Sequence, residues 1–198
     1  MTEHIGIVAC SAEGAALCYR TICAEAAATM GEDNHPELTM HTYPLARYMV
    51  HIRSGDWAGV AELMASSARN VAAAGATFAI CPDNTIHQAF DLATRQSPIP
   101  WLHIARIVGR EAARRGYRLV GVMGTSYLME GPVYPEALGP LGIRIELPDE
   151  ADRALINQII FDELVRGIFR GEARAFFHGV IAVSYTHLRA HETSLHLV

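Results

Sequence analysis

At 198 residues and 51% hydrophobic content, the chain can fill the core of one globular domain or of two small packed lobes. Lysine and arginine total 16 against 21 acidic residues, a net charge of −5 with no basic run or basic–aromatic stripe, so nucleic acid is not an expected partner. No apolar stretch approaches the roughly 20 residues of a membrane-spanning helix, and Met1-Thr2-Glu3-His4 lacks the basic start of a signal peptide, which makes the cytoplasm the expected location, with no membrane partner.

Ile5 to Ala9 is a short apolar run ending in small residues and predicts a strand; Ala15 to Ala28, rich in strong helix formers, predicts the helix after it. Leu38 to Tyr43 alternates as a second strand would. Asp56 to Ala74 carries Trp57, Val60, Leu63, Met64 and Val71 at helical spacing and is closed by Gly75. A third strand, Thr77 to Cys81, delivers Pro82-Asp83-Asn84-Thr85 at its C-terminal end, and a helix from about Ile86 to Thr94 follows.

After Ser97-Pro98-Ile99-Pro100 the pattern begins again, with a strand Trp101 to Ile104, a helix to Arg115 and a strand Leu119 to Met123. The loop of that last strand is Gly124-Thr125-Ser126-Tyr127. Then come a helix near Pro135 to Leu141, a strand Ile143 to Leu147, and a long helix starting at Asp149, whose carboxylate can cap the first turn. Strands alternating with helices predict an α/β fold with parallel sheets flanked by helices and functional loops at the strands' C-terminal ends.

The units starting at Ile5 and Leu119 match in outline, each an apolar strand containing a glycine, then a small or polar loop, then a helix. Two related lobes are expected, 1–97 and 98–182, with 183–198 left as a tail. Cys10, Cys18, Cys23 and Cys81 show no CxxC spacing, and the histidines are scattered apart from His187, His191 and His196 near the end. Neither a disulfide framework nor a metal site is expected.

Four segments carry a family likeness: Cys81-Pro82-Asp83-Asn84-Thr85-Ile86-His87, Trp101-Leu102-His103-Ile104-Ala105, Gly124-Thr125 through Met129-Glu130, and Pro148-Asp149 through Arg153, Asn157 and Phe161. In order and spacing, from about Ile5 to Ala182, they resemble the aspartate/glutamate racemase family, part of the Asp/Glu/hydantoin racemase superfamily. The resemblance implies two pseudo-symmetric α/β lobes with a small amino or dicarboxylic acid bound between them, and no pyridoxal phosphate or metal as cofactor. Two acid/base residues, usually thiols, face each other across the α-carbon in such enzymes, because inverting a stereocentre requires taking a proton from one face and returning one to the other. One stands immediately before the Asn-Thr of the first lobe, and the other lies in a Gly-Cys-Thr-Glu element near the end of the second.

By position, the resemblance gives Asn84 and Thr85 the α-carboxylate and the developing carbanion, and it gives Thr125 a supporting hydroxyl from the second lobe. Arg47, in Pro44-Leu45-Ala46-Arg47, matches an arginine that holds the distal carboxylate in some members. Asn84 and Thr85 equally suit a turn and helix cap, and Arg47 an ordinary surface charge. Val165 falls where some aspartate-specific relatives carry a basic residue, so a strict preference for aspartate is not expected. Dimers are common in the family, and the sequence leaves a homodimer open.

The chain departs from the family at two places. Asp83 occupies the acid/base position where a thiol is usual, and an ordinary aspartate, with a pKa of about 3.9 against about 8.5 for a thiol, is the weaker base unless burial raises it. Cys81, two residues earlier in a strand, faces the same side displaced by roughly 7 Å and reads as a buried structural thiol. Cys10, in Ala9-Cys10-Ser11-Ala12-Glu13, stands where relatives often have a glycine-rich turn and is expected to border the pocket. The second departure is Val183 to Val198, which looks like translated sequencing adapter in place of a final strand and the second acid/base element. An incomplete second lobe, an open sheet edge and impaired activity are therefore expected of this chain. Two other readings stay open: a one-base relative such as a malonate-type decarboxylase, and a non-catalytic protein that binds a small acid.

Overall fold

The structure, a computed structural model, describes residues 3–191 and His196–Leu197, with side chains described as far as Val183. An apolar run with no polar face suits a strand covered on both sides, and β1 (His4–Ala9) lies inside a parallel sheet between β2 (Glu37–Thr42) and β3 (Phe78–Ile80). β4 (Trp101–Leu102) adds beyond β3, giving the order β2-β1-β3-β4. The register pairs Ile7 with Met40 on one side and with Ile80 on the other.

Helices α1 (Ala12–Met30), α2 (Leu45–Ser54) and α3 (Trp57–Ala73) connect these strands. α3 is the central one, burying Val60, Leu63, Met64 and Val71 at the predicted spacing. Asp56 caps it by accepting from the Gly59 amide at 2.9 Å. Gly6 sits where β1 meets this helix; a Cβ there would lie 2.6 Å from Val71 Cγ2, so only glycine permits the observed approach. After β3 the chain makes a 3-10 turn (Thr85–Ala89) that runs into α4 (Phe90–Thr94).

The sequence reading did not anticipate α2. Its buried positions, Tyr48 and Ile52, are four apart, as one helical face requires, and Gly55 closes it in the left-handed conformation at φ 69°.

Two compact units divide at Ile104/Ala105, later than the expected boundary at 97/98. The reason is β4: Trp101 pairs with Ala79 and Leu102 with Ile80, so this strand completes the first sheet and does not open a second. The second unit carries α5, which runs from Ile104 at the boundary to Arg114, and then β5 (Leu119–Gly121), α6 (Ser126–Met129), α7 (Val133–Leu138) and β6 (Arg144–Glu146). Two further helices are α8 (Glu150–Asp162) and α9 (Gly171–His191). Asp149 caps α8 as predicted, accepting from the Asp152 amide at 2.8 Å.

The core of this unit gathers Val120, Val122, Leu128, Leu138 and Ile143, with Met129, Ile156 and Val180 in a second cluster. β7 (His196–Leu197) pairs in parallel with Val120 and Gly121, making the order β6-β5-β7. The outer edge of β5, expected to stand open, is therefore paired over those two residues. The adapter-like reading of 183–198 concerns side chains that lie outside the described residues.

Candidate functional site

In an open parallel sheet, a crevice forms at the carboxyl ends of the strands where successive connections leave in opposite directions. In the first sheet the chain passes from β1 outward to β2, then crosses back to β3 on the other side of β1. The crevice therefore lies between the ends of β1 and β3. Continuing the register past Ile7 and Ile80 brings Cys10 alongside Asp83 at that place.

The Cys10 thiol donates to the Asp83 carboxylate. Cys10 is buried, and Asp83 keeps some exposure as a residue although its carboxyl group is enclosed. That enclosure pushes Asp83 above the usual carboxylate range, opposed by hydrogen bonds from the Ile86 amide, the Cys10 thiol and the Thr85 amide. The Ile86 bond to Asp83 Oδ1 is long, at 3.4 Å. Burial, reinforced by the charges of Asp83 and Cys81, pushes Cys10 well up, and burial followed by the charge of Asp83 does the same for Cys81. Raised well above their ordinary value, both thiols stay protonated across the neutral range. Gly14, in the first turn of α1, lets this helix start close to the loop, since a Cβ there would meet Pro82 O at 3.2 Å.

The loop that carries Asp83 is fastened by His87. Its Nδ1 donates to the Asp83 carbonyl at 2.7 Å and its Nε2 accepts from the Ile104 amide at 3.3 Å, which fixes one neutral tautomer. The ring stacks on Phe90 at 5.4 Å and meets His103 edge-on at 4.8 Å. Asn84 is the residue before the 3-10 turn, half-buried, and Thr85 is the first residue of that turn, 8% exposed. Cys81 is buried, and its thiol points to the Asp83 carbonyl at 3.9 Å.

Arg47 is on the exposed side of α2, its guanidinium 4.3 Å from the centroid of the Tyr43 ring. The following residue, Tyr48, points the other way and is fully buried, its hydroxyl without a hydrogen-bond partner among the described residues. Its titration is raised by burial first and then by the charges of Cys81, Cys10, Asp83 and Tyr43, and α2 begins just past Thr42, which pairs with Ala9 at the carboxyl end of β1. Sequence reasoning missed it together with α2; the available signal was the helical spacing of Leu45, Tyr48 and Ile52.

A second polar cluster in this unit imitates a nucleophile–base pair. His41 Nδ1 lies 2.7 Å from Ser67 Oγ, and Asn70 Nδ2 lies 3.0 Å from His41 Nε2. Ser67, however, is fully buried and returns its hydroxyl to the His41 carbonyl at 3.2 Å. With every group satisfied internally, the cluster ties β2 to α3 and offers nothing to a substrate.

In the second unit, Thr125 ends the β5 loop and caps α6, its hydroxyl accepting from the Leu128 amide at 3.2 Å. The next residue is held from α8: Asn157 Oδ1 accepts from the Ser126 amide at 2.9 Å and from the Ser126 hydroxyl at 3.2 Å. Asn157 is thus the anchor of the loop that displays Thr125, a role its place in the Asn157–Phe161 segment did not reveal. Val165 lies in a 3-10 turn, Leu164–Arg166, after α8.

A family model for the Asp/Glu/hydantoin racemases matches residues 5–184. Among solved structures, a Yersinia pestis protein provisionally assigned as an Asp/Glu racemase is similar at TM-score 0.80 and 27% identity, over 93% of this chain and 81% of that one. An aspartate racemase homologue from Pyrococcus horikoshii is similar at TM-score 0.69 and 26% identity, over 84% of this chain and 73% of that one. The aspartate racemase of Picrophilus torridus shares the fold at TM-score 0.72 and 13% identity, over 93% of this chain and 77% of that one. Among the described residues, no helix is long and apolar enough to cross a membrane.

Proposed function

This chain belongs to the Asp/Glu/hydantoin racemase family, and from that footing we propose that it moves a proton on and off the α-carbon of a small acidic amino acid, with Asp83 as the acid/base group of the first unit. The observation that carries the proposal is the placement of Asp83 at the β1/β3 switch point, enclosed, held by the Cys10 thiol and raised above the usual carboxylate range. A carboxyl raised by burial is a stronger base than an ordinary one, as abstraction of a proton from carbon demands. The amides at the start of α1, with the side chains of Asn84 and Thr85, supply donors for the substrate's α-carboxylate as negative charge develops at carbon. Arg47, on the exposed side of α2, supplies a cation for the distal carboxylate.

Inversion needs a second acid/base group on the opposite face, and by the family pattern it follows residue 182. One-sided proton delivery, as in decarboxylation of a malonate-type acid, is favoured over racemisation if Asp83 works alone, because one base exchanges a proton without inverting the centre.

The test is proton NMR of L- and D-aspartate and glutamate in D₂O, with this chain and with a chimera in which 183–198 is replaced by the C-terminal segment of the Yersinia pestis relative. Loss of the α-proton signal with inversion in the chimera, abolished by Asp83→Asn, is the expected result. Exchange without inversion in both proteins assigns a single working base and calls for malonates as substrates. Binding of these acids without exchange in either protein overturns the catalytic reading.

A further inference from the structure

The hydroxyl of Tyr48 has no packing purpose. The residue is fully buried in the first turn of α2, where phenylalanine would fill almost the same space, yet the chain keeps a buried phenol with no hydrogen-bond partner among the described residues. Such groups are costly and rare, so each one calls for a partner that arrives later. Thr42 pairs with Ala9 at the carboxyl end of β1, so α2 begins at the same edge of the sheet as Cys10, and the groups whose charge the phenol feels are Cys81 at the end of β3, Cys10 after β1, Asp83 in the loop, and Tyr43 after β2. To these belong Cys18 of α1, felt by Cys81, and His87, which touches Asp83 through its carbonyl.

Asp83 is the acceptor that gains a need for a donor. Once ionised it offers about four lone-pair sites, and among its donors are a long bond from Ile86 and a thiol, the weakest of the common donors. Neither thiol can share the charge, since both are held protonated. We propose that Tyr48 is a positioning residue for Asp83: its hydroxyl, directly or through one water, donates to the carboxylate when the proton leaves. Burial pushes the phenol itself far above the working range, so Tyr48 stays a donor and never competes as a base.

This rests on Asp83 as the acid/base group proposed above, but the deciding measurement reads protonation and not turnover, so the two can fail separately. The carboxyl carbon of Asp83 is titrated by NMR in the full chain labelled at aspartate, its signal assigned by Asp83→Asn. Tyr48→Phe is expected to raise the apparent pKa of Asp83 by about one pH unit, roughly the loss of one charge-assisted hydrogen bond. Site-specific 3-fluorotyrosine at position 48, which keeps the shape and strengthens the donor, is expected to lower it. In the chimera, if active, the acid limb of the exchange profile moves with the titration. An Asp83 titration unchanged in both variants, with Tyr48→Phe more stable than the parent, would show a leftover core hydroxyl and overturn the assignment. If Tyr48→Phe fails to fold, the fluorotyrosine protein decides the matter alone.

Discussion

His87→Phe separates the two tasks of the residue that fastens the Asp83 loop. The substitution keeps an aromatic ring of similar size against Phe90 and His103 but deletes both ring nitrogens. His87 is 3% exposed, so water does not replace what is lost. The Asp83 carbonyl loses a donor at 2.7 Å, and the Ile104 amide loses an acceptor at 3.3 Å. A buried backbone group left unsatisfied costs about 1–3 kcal/mol. The Asp83 carbonyl keeps the weak thiol contact of Cys81 at 3.9 Å, and the Ile104 bond is long to begin with, so the pair together is worth about 2–4 kcal/mol. At about 2–4 °C per kcal/mol for a chain of this size, Tm falls by on the order of 10 °C. Urea unfolding followed by tryptophan fluorescence reads the right unit, because both tryptophans, Trp57 and Trp101, lie in the first. Hydrogen exchange at the Ile104 amide supplies the local readout. A loss below about 0.5 kcal/mol with that amide still protected would refute the clamp.

Asp83 also imposes a pH dependence on stability. Its folded pKa lies above the unfolded value of about 3.9, so its contribution is full below that value and is lost as pH rises through the raised folded pKa; Asp83→Asn should lack that decline, and parallel stability curves for the two proteins would contradict the buried carboxyl. Cys10 and Cys81, enclosed and raised by burial, are expected to resist an aromatic disulfide reagent at pH 8 until urea unfolds the first unit, whereas rapid native labelling of Cys10 would mean the crevice is open. Ser67→Ala strands the His41 ring and should lower stability by about 1–3 kcal/mol. Its effect on substrate proton exchange should be nil at a temperature where the variant is folded; a selective loss of exchange would make the His41–Ser67 cluster functional after all.

The strand–helix alternation and most of the core were readable because parallel strands buried on both faces are written as continuous apolar runs, as in Ile5 to Ala9, and because α3 repeats its apolar residues at 3.6-residue spacing. Two elements were not. α2 buries only Tyr48 and Ile52, amid Arg47, His51 and Arg53, and its length is below what periodicity resolves. β4 is two residues long, and nothing local to Trp101 and Leu102 says which sheet they join; the pairing with Ala79 and Ile80 is a tertiary fact. The candidate site shows the same division. Asp83, Asn84 and Thr85 were legible as a loop after a strand, since residue type and position coincide there. Cys10, whose thiol donates to Asp83, stands 73 residues earlier by sequence number, and the Tyr48 proposed to support the carboxylate stands on the unrecognised helix; no spacing rule joins them.

That neighbourhood bears on why a carboxyl can stand where a thiol is usual. Burial raises every acid whose charged form is an anion, whatever its starting point. A thiol begins near 8.5, so the enclosure around Cys10 and Cys81 drives it further from neutrality and leaves it a permanent donor. A carboxyl begins near 3.9, so the same enclosure makes Asp83 a stronger base than an ordinary aspartate. On the proposed reading that carboxyl is the usable base, and the cysteine beside it is part of its support. A thiol working at such a position needs the opposite setting, with positive charge or strong donors to bring it down. The substitution therefore implies its surroundings. Asp83→Cys in this chain should yield an inert, protonated thiol, measurable as slow alkylation at pH 8, and a fast-reacting Cys at position 83 would show that the crevice lowers acids where the structure has it raising them.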